Sequence, residues 1–106
     1  MATPEGKVKD LVKKVLKKYG VYWHCPVQNG MGSPSLDFVG CAKGLYYAIE
    51  TKADNKQPTP RQESTIAEMR KSGAKVFVIN MFTGIQELED WLKEIGDEHS
   101  RSAIEV

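Results

Sequence analysis

Two side chains of opposite charge close an apolar, strand-like segment near the middle of the chain. Glu50 and Lys52 lie two residues apart and follow the apolar run from Leu45 to Ile49. Because side chains alternate between the two faces of a strand, this spacing places both on one face. An inward-facing charge is costly unless it is paired, neutralised or bound to a metal. The pair therefore marks a candidate metal site.

Asp37 supplies a second carboxylate for this site. It begins a strand-like segment that a tight connection at residues 42–44 joins to the segment ending in Glu50, so a hairpin would bring the two acids together at its open end. Paired carboxylates suit a hard cation such as Mg²⁺, and the main-chain carbonyl of Thr51 is a further candidate ligand. Such a metal would polarise a phosphoryl oxygen and acidify a water, while Lys52 would offset charge in the transition state. The predicted chemistry is phosphodiester cleavage.

The elements that must position these residues follow from hydrophobic periodicity and from turn residues. Helical spacing of apolar residues and short β-branched runs alternate along the chain, and they predict an α/β fold in the order α-β-β-β-α-β-α, with a mixed sheet flanked by helices. The predicted spans are helices at 3–20, 59–72 and 83–95 and strands at 21–27, 36–41, 45–52 and 75–80.

Length and composition predict one small domain. The chain has 106 residues, which is enough for a single core, and we assign 1–96 to the domain and 97–106 to a polar tail whose composition is compatible with disorder. Cys25 and Cys41 have no CxxC spacing, so we expect reduced, buried thiols. The absence of a long apolar run predicts a soluble, cytoplasmic protein with no membrane contact.

The motifs in the central part of the chain resemble a known nuclease family. Asp37 followed by Glu50-Thr51-Lys52 is similar to the pattern of the PD-(D/E)XK superfamily. The flanking residues resemble more specifically the stand-alone VRR-NUC family, and they are Asn29-Gly30-Met31-Gly32, Asp37-Phe38-Val39-Gly40, Tyr47-Ala48-Ile49-Glu50-Thr51-Lys52 and Arg61-Gln62. The family usually has proline directly before its metal-binding aspartate, whereas this chain has Leu36 there and Pro34 three residues before Asp37.

The resemblance implies a restriction-endonuclease-like fold and a set of roles. Asp37 and Glu50 would bind Mg²⁺ or Mn²⁺, Lys52 would be catalytic, Gln62 would join the catalytic set, and Glu5 would be a further metal ligand. Members of the family are metal-dependent nucleases of phages and bacteria, and the nuclease module of a larger eukaryotic DNA-repair enzyme. The resemblance implies a homodimer that cleaves branched DNA such as four-way (Holliday) junctions, and it leaves open a replication or repair partner protein.

Several of these residues have ordinary structural explanations. Thr59 and Gln62 have the spacing of a capping box, and Glu5 would complement the dipole of the first helix. Glu50 and Lys52 would, as an isolated pair, be explained by a solvated cross-strand contact. Lysines crowd the first helix, on a face that is either solvated or in contact with DNA. Further candidate phosphate contacts around the site are Lys43, Lys56 and Arg61.

The function predicted from the sequence is therefore a Mg²⁺- or Mn²⁺-dependent endodeoxyribonuclease. Two alternatives stay open at this point. One is a nicking or processing nuclease that a partner protein directs to its substrate. The other is a DNA-binding or assembly module that keeps the fold without turnover.

Overall fold

A computed structural model describes residues 3–27, 35–54 and 56–105, with side chains through residue 96. The elements are α1 (Pro4–Tyr19), β1 (Tyr22–His24), β2 (Phe38–Ala42), β3 (Leu45–Thr51), α2 (Pro60–Lys71), β4 (Lys75–Ile79) and α3 (Ile85–Glu105). This order confirms the predicted succession α-β-β-β-α-β-α. The loop motif that begins at Asn29 and includes Pro34 lies outside the described residues.

The first helix begins and ends where its capping residues predict. The Thr3 hydroxyl accepts a hydrogen bond from the Gly6 N–H at 3.0 Å, which satisfies one of the free donors at a helix start. Gly20 ends the helix in the left-handed region at φ 64°. Between these ends, Val8, Val12 and Leu16 are buried, so α1 presents one apolar stripe to the sheet.

The four strands form one mixed sheet in the order β1-β2-β3-β4. β1 and β2 are antiparallel, β2 and β3 form the predicted antiparallel hairpin, and β3 and β4 are parallel. Phe38 pairs with Ile49, and Thr51 pairs with Ile79. The start of β2 and the ends of β3 and β4 therefore lie together at one end of the sheet. We call this end, at Asp37, Thr51 and Ile79, the site end.

Helices cover both faces of the sheet, and alternation along the strands assigns each side chain to a face. The first face carries Phe38, Ile49 and Phe77, which pack with α1 and α3 in the larger core. The second face carries Val39, Ala48 and Val76, which pack with Ile66 of α2 in a smaller core. Glu50 follows Ala48 by two residues, so its side chain points to the α2 face.

One hydrogen bond ties the short edge strand to the centre of the sheet. The Tyr47 hydroxyl donates to the main-chain oxygen of Tyr22 at 3.0 Å, across the intervening strand. The Tyr47 side chain can pass over β2 because residue 40 is glycine. A Cβ atom there would clash with the Tyr22 oxygen and would lie 2.8 Å from the Tyr47 hydroxyl.

Two sequence-based expectations were wrong in detail. Cys25 and Cys41 are free thiols, but both are exposed; Cys41 alternates with buried Ala42 and points to the α2 face, beyond the part that α2 covers. The last helix runs to Glu105 instead of ending near Ile95, because a single glycine such as Gly96 is tolerated inside a helix. The division at residue 97 into domain and tail stays a prediction. Within the described residues, no helix is both long and apolar enough to cross a membrane.

Candidate active site

The Asp37 carboxylate is held by both polar groups of one residue. Its Oδ2 atom accepts the Thr51 main-chain N–H at 2.9 Å and the Thr51 hydroxyl at 2.8 Å. Thr51 is itself fully buried, so these bonds form where water does not compete for them. The two bonds fix one oxygen of Asp37 and leave Oδ1 to face other partners.

Glu50 and Lys52 meet at the end of β3, as their spacing predicts. The Lys52 Nζ atom lies 3.3 Å from Glu50 Oε2, and the exposed fractions of the two side chains are 13% and 3%. The Lys52 main-chain N–H also donates to the Ile79 oxygen at 2.9 Å, so the residue continues the parallel ladder. These exposures exclude the explanation of a solvated surface pair.

The environment of Glu50 disfavours its charged form. Burial raises the pKa of the Glu50 carboxyl to about 7, the negative charge of Asp37 adds to this rise, and Lys52 opposes it. A buried carboxylate beside a second one is stabilised by positive charge nearby. Lys52 supplies part of that charge, and a bound cation would supply more.

The donor atoms at the site suit a hard divalent cation. Asp37 Oδ1 and the Glu50 carboxylate offer anionic oxygens. The Thr51 carbonyl lies on the Asp37 side of β3, because the N–H and C=O of one strand residue point the same way. Magnesium usually binds one or two carboxylates and keeps several waters. The residues present therefore fit Mg²⁺ or Mn²⁺, with Asp37 and Glu50 as the charged ligands.

Glu5 is not gathered into a larger acidic cluster. Across residues 3–27, 35–54 and 56–96, no group of three or more His, Cys, Asp or Glu side chains is arranged to hold a metal ion. Glu5 occupies the first turn of α1, where it complements the helix dipole. Its role as a further ligand stays a prediction.

Gln62 takes the structural role that its spacing from Thr59 predicts. Its Oε1 atom accepts the Thr59 main-chain N–H at 2.9 Å, and the Thr59 hydroxyl accepts the Gln62 N–H at 3.2 Å. Both halves of the capping box are thus present. The amide oxygen of Gln62 is engaged in this cap, and a catalytic role for the residue stays a prediction.

Lys9 of α1 is a neighbour of the site that sequence reasoning missed. Its Nζ atom lies 3.9 Å from Asp37 Oδ1, the oxygen that Thr51 leaves free. The helical periodicity of α1 predicts that most of its lysines face away from the core. The position of Lys9 in the sequence could have indicated its exception: it follows buried Val8 directly and comes four residues after Glu5, so both charged residues border the apolar stripe on one side.

The three predicted phosphate-binding residues do not lie together. Lys43 is in the turn between β2 and β3 at φ 52°, the opposite end of the hairpin from Asp37, about 15 Å away along the strand. This placement does not fit its predicted position near the site. Lys56 and Arg61 are exposed and follow Lys52 in the connection to α2 and in its first turn.

Comparison with known proteins gives an informative likeness. No protein-family model and no curated protein matches the chain. A solved structure described as a VRR_NUC domain is similar to it, with a TM-score of 0.73 and 30% sequence identity over 84% of this chain and 97% of the other. The likeness thus covers nearly all of that domain, in sequence as well as in fold.

Proposed function

The chain belongs to the VRR-NUC family and has a nuclease domain, and from this premise we propose that it is a Mg²⁺- or Mn²⁺-dependent endodeoxyribonuclease selective for branched DNA such as four-way junctions. The observation that carries the proposal is the buried Glu50 carboxylate, 3.3 Å from Lys52 and electrostatically coupled to Asp37. A purely structural strand end gains nothing from this arrangement, because removing two charges from water costs several kcal/mol per ion.

Each residue has a distinct task in this proposal. Asp37 and Glu50 hold the metal, which when bound polarises a phosphoryl oxygen and lowers the pKa of a water. Thr51 fixes the orientation of Asp37 through the two hydrogen bonds to Oδ2. Lys52 offsets negative charge on the phosphate as the bond to the leaving oxygen breaks.

The substrate and assembly parts of the proposal rest on the family. A homodimer would place two sites against two strands of a junction, and the exposed Lys56 and Arg61 would contact phosphates beside each site. No base-reading motif occurs in the sequence, which favours recognition of DNA shape. A replication or repair partner and a cytoplasmic location belong to the same proposal.

Cleavage of labelled four-way junction, flap and linear duplex DNA tests the activity. The wild type is compared with Asp37→Asn and Lys52→Met in Mg²⁺, Mn²⁺ and EDTA. Matched controls are Asp10→Asn and Lys93→Met, which change exposed charges on the helices. We expect both site variants to lose about 100-fold or more in cleavage rate and both controls to keep it.

Metal binding and mass give independent measurements. Titration with Mn²⁺ followed by electron paramagnetic resonance should show weaker binding to Asp37→Asn than to Asp10→Asn. Light scattering should give the mass of a dimer. Junction binding by the wild type without cleavage of any substrate in either metal would instead identify a non-catalytic DNA-binding module, and equal cleavage by Lys52→Met would remove Lys52 from the site.

A further inference from the structure

Two neighbouring apolar side chains are exposed in the loop that leaves the site end of the sheet. Phe82 is 80% exposed and Met81 is 40% exposed. They follow β4, whose last residue, Ile79, accepts the Lys52 main-chain N–H at 2.9 Å. Single exposed apolar residues are common on protein surfaces. An adjacent pair beside a candidate active site is a better candidate for a contact surface.

The loop that carries the pair is tightly hydrogen bonded. Asn80 Oδ1 accepts the main-chain N–H groups of Phe82 and Thr83, each at 2.8 Å, and the Thr83 hydroxyl at 3.2 Å. The Asn80 N–H in turn donates to the Thr83 oxygen at 3.0 Å. Phe82 is therefore presented to solvent by a closed turn rather than by an extended segment.

The turn is also packed against the sheet at its far side. Gly84 has a φ of 95°, and a Cβ atom there would lie 2.6 Å from the Val78 oxygen. The chain therefore folds back closely onto the end of β4 before α3 begins. This close contact and the bonds of Asn80 together keep Phe82 beside the site end.

The distance from Phe82 to the site is short on the scale of DNA. Phe82 is three residues beyond Ile79, so its Cα lies at most about 10 Å from that residue. This length corresponds to about three nucleotides along one strand of a duplex. A base in contact with Phe82 and a phosphate near Lys52 would therefore belong to one stretch of DNA beside the site end.

We propose that Met81 and Phe82 form an apolar wedge that stacks on the open base pair at a DNA branch point and so positions the adjacent strand for cleavage. Apolar side chains that enter base steps are a recurrent way to bind distorted DNA, and aromatic rings stack on unpaired bases of any sequence. A branch point exposes such a base-pair face, whereas an uninterrupted duplex offers it only after unstacking. The choice of DNA as the partner rests on the proposed nuclease function.

Fluorescence of 2-aminopurine tests the contact without cleavage. The probe is placed next to the branch of a four-way junction and, separately, inside a linear duplex, and each DNA is titrated with protein in EDTA. The variants are Phe82→Ala, Phe82→Trp and the control Tyr46→Ala. Tyr46 is 50% exposed at the start of β3, away from the site end. We expect a fluorescence change at the branch with wild type, Phe82→Trp and Tyr46→Ala, and little change with Phe82→Ala.

Cleavage in Mg²⁺ gives the second measurement. The ratio of junction to linear-duplex cleavage should fall about ten-fold or more in Phe82→Ala, recover in Phe82→Trp and stay unchanged in Tyr46→Ala. Cleavage positions of the wild type should cluster near the branch.

The two proposals fail in different ways. A wild type that cleaves nothing overturns the nuclease proposal, but the fluorescence titration still decides whether Phe82 meets the branch. An identical fluorescence change with Phe82→Ala, no change with the wild type, or an unaltered cleavage ratio overturns the wedge. Conversion of a dimer to a monomer by Phe82→Ala in light scattering would assign the pair to a protein contact and would also overturn it.

Discussion

The two ends of strand β3 bury polar groups in opposite ways. Near the start of the strand, the Tyr47 hydroxyl is fully satisfied by the Tyr22 oxygen and fixes the edge of the sheet. At the end, the buried Glu50 carboxylate has a raised pKa, with a second carboxylate nearby. The first arrangement stabilises the fold, whereas the second costs stability in the metal-free protein. Such a cost is expected where a residue is kept for function.

Replacement of Glu50 by an uncharged group of the same shape should show the largest difference between the two ends of β3, because it should reduce activity and leave the fold intact. Glu50→Gln should lower DNA cleavage by about 100-fold or more, because an amide is a poor metal ligand. The fold should survive, since the change removes a buried charge. Gel-based cleavage rates and thermal unfolding of the same preparation check both statements. Loss of folding in this variant would contradict the assignment of Glu50 to function.

Replacement of Gly40 should lower the stability of the sheet near the start of β3. Gly40→Ala places a methyl group against the Tyr22 oxygen and the Tyr47 hydroxyl, so the free energy of unfolding should fall by about 3 kcal/mol or more. Urea denaturation measures it. Gly96→Ala is the matched control, because among the described residues no atom outside the adjacent helix backbone lies within 4 Å of its added Cβ, and it should leave stability unchanged or slightly raised.

The pH dependence of stability should reflect the protonation of the Glu50 carboxyl. The folded protein holds the Glu50 proton up to a pKa of about 7, against a usual value of 4.5. The stabilisation from this proton is therefore complete below pH 4.5 and is lost as the pH rises through 7, by about 3 kcal/mol. Denaturation in EDTA at several pH values should show this fall in the wild type relative to Glu50→Gln. Parallel curves for the two proteins would disprove it.

Loss of one of the two hydrogen bonds from Thr51 to Asp37 should have an intermediate effect. Thr51→Val removes the hydroxyl that donates to Asp37 Oδ2 and should weaken Mn²⁺ binding by about ten-fold, as loss of a partner to a metal ligand commonly does. Thr51→Ser keeps the hydroxyl and serves as the control. Calorimetric titration with Mn²⁺ compares the two, and equal affinities would show that the main-chain N–H suffices.

The smallest effect is expected from one hydroxyl at the start of β3. Tyr47→Phe removes the hydroxyl that donates to the Tyr22 oxygen and should lower the free energy of unfolding by about 1 kcal/mol, with cleavage unchanged. Tyr46→Phe removes a half-exposed hydroxyl from the neighbouring residue and should be neutral. Urea denaturation of both proteins gives the comparison. An equal loss of unfolding free energy in the two would show that the hydrogen bond does not stabilise the fold.

Local signals explain why much of the molecule is predictable from the sequence. Thr3 and Gly20 bound α1, Thr59 begins α2, and the turn at Lys43 joins β2 to β3, because caps and tight turns depend on neighbouring residues. Glu50 and Lys52 share a face for an equally local reason. The exposure of Cys41 was not predictable, because it depends on how far α2 extends over the sheet.

The sequence by itself determined the order of the elements, the hairpin that brings Asp37 to Glu50, and the pairing of Glu50 with Lys52. Periodicity and short-range spacing carry that information. Only the tertiary structure decided that Thr51 holds Asp37, that Lys9 approaches it from α1, and that the Phe82 turn lies beside Lys52. These contacts join segments far apart in the chain, and their geometry depends on how helices pack against the sheet and on which strands pair.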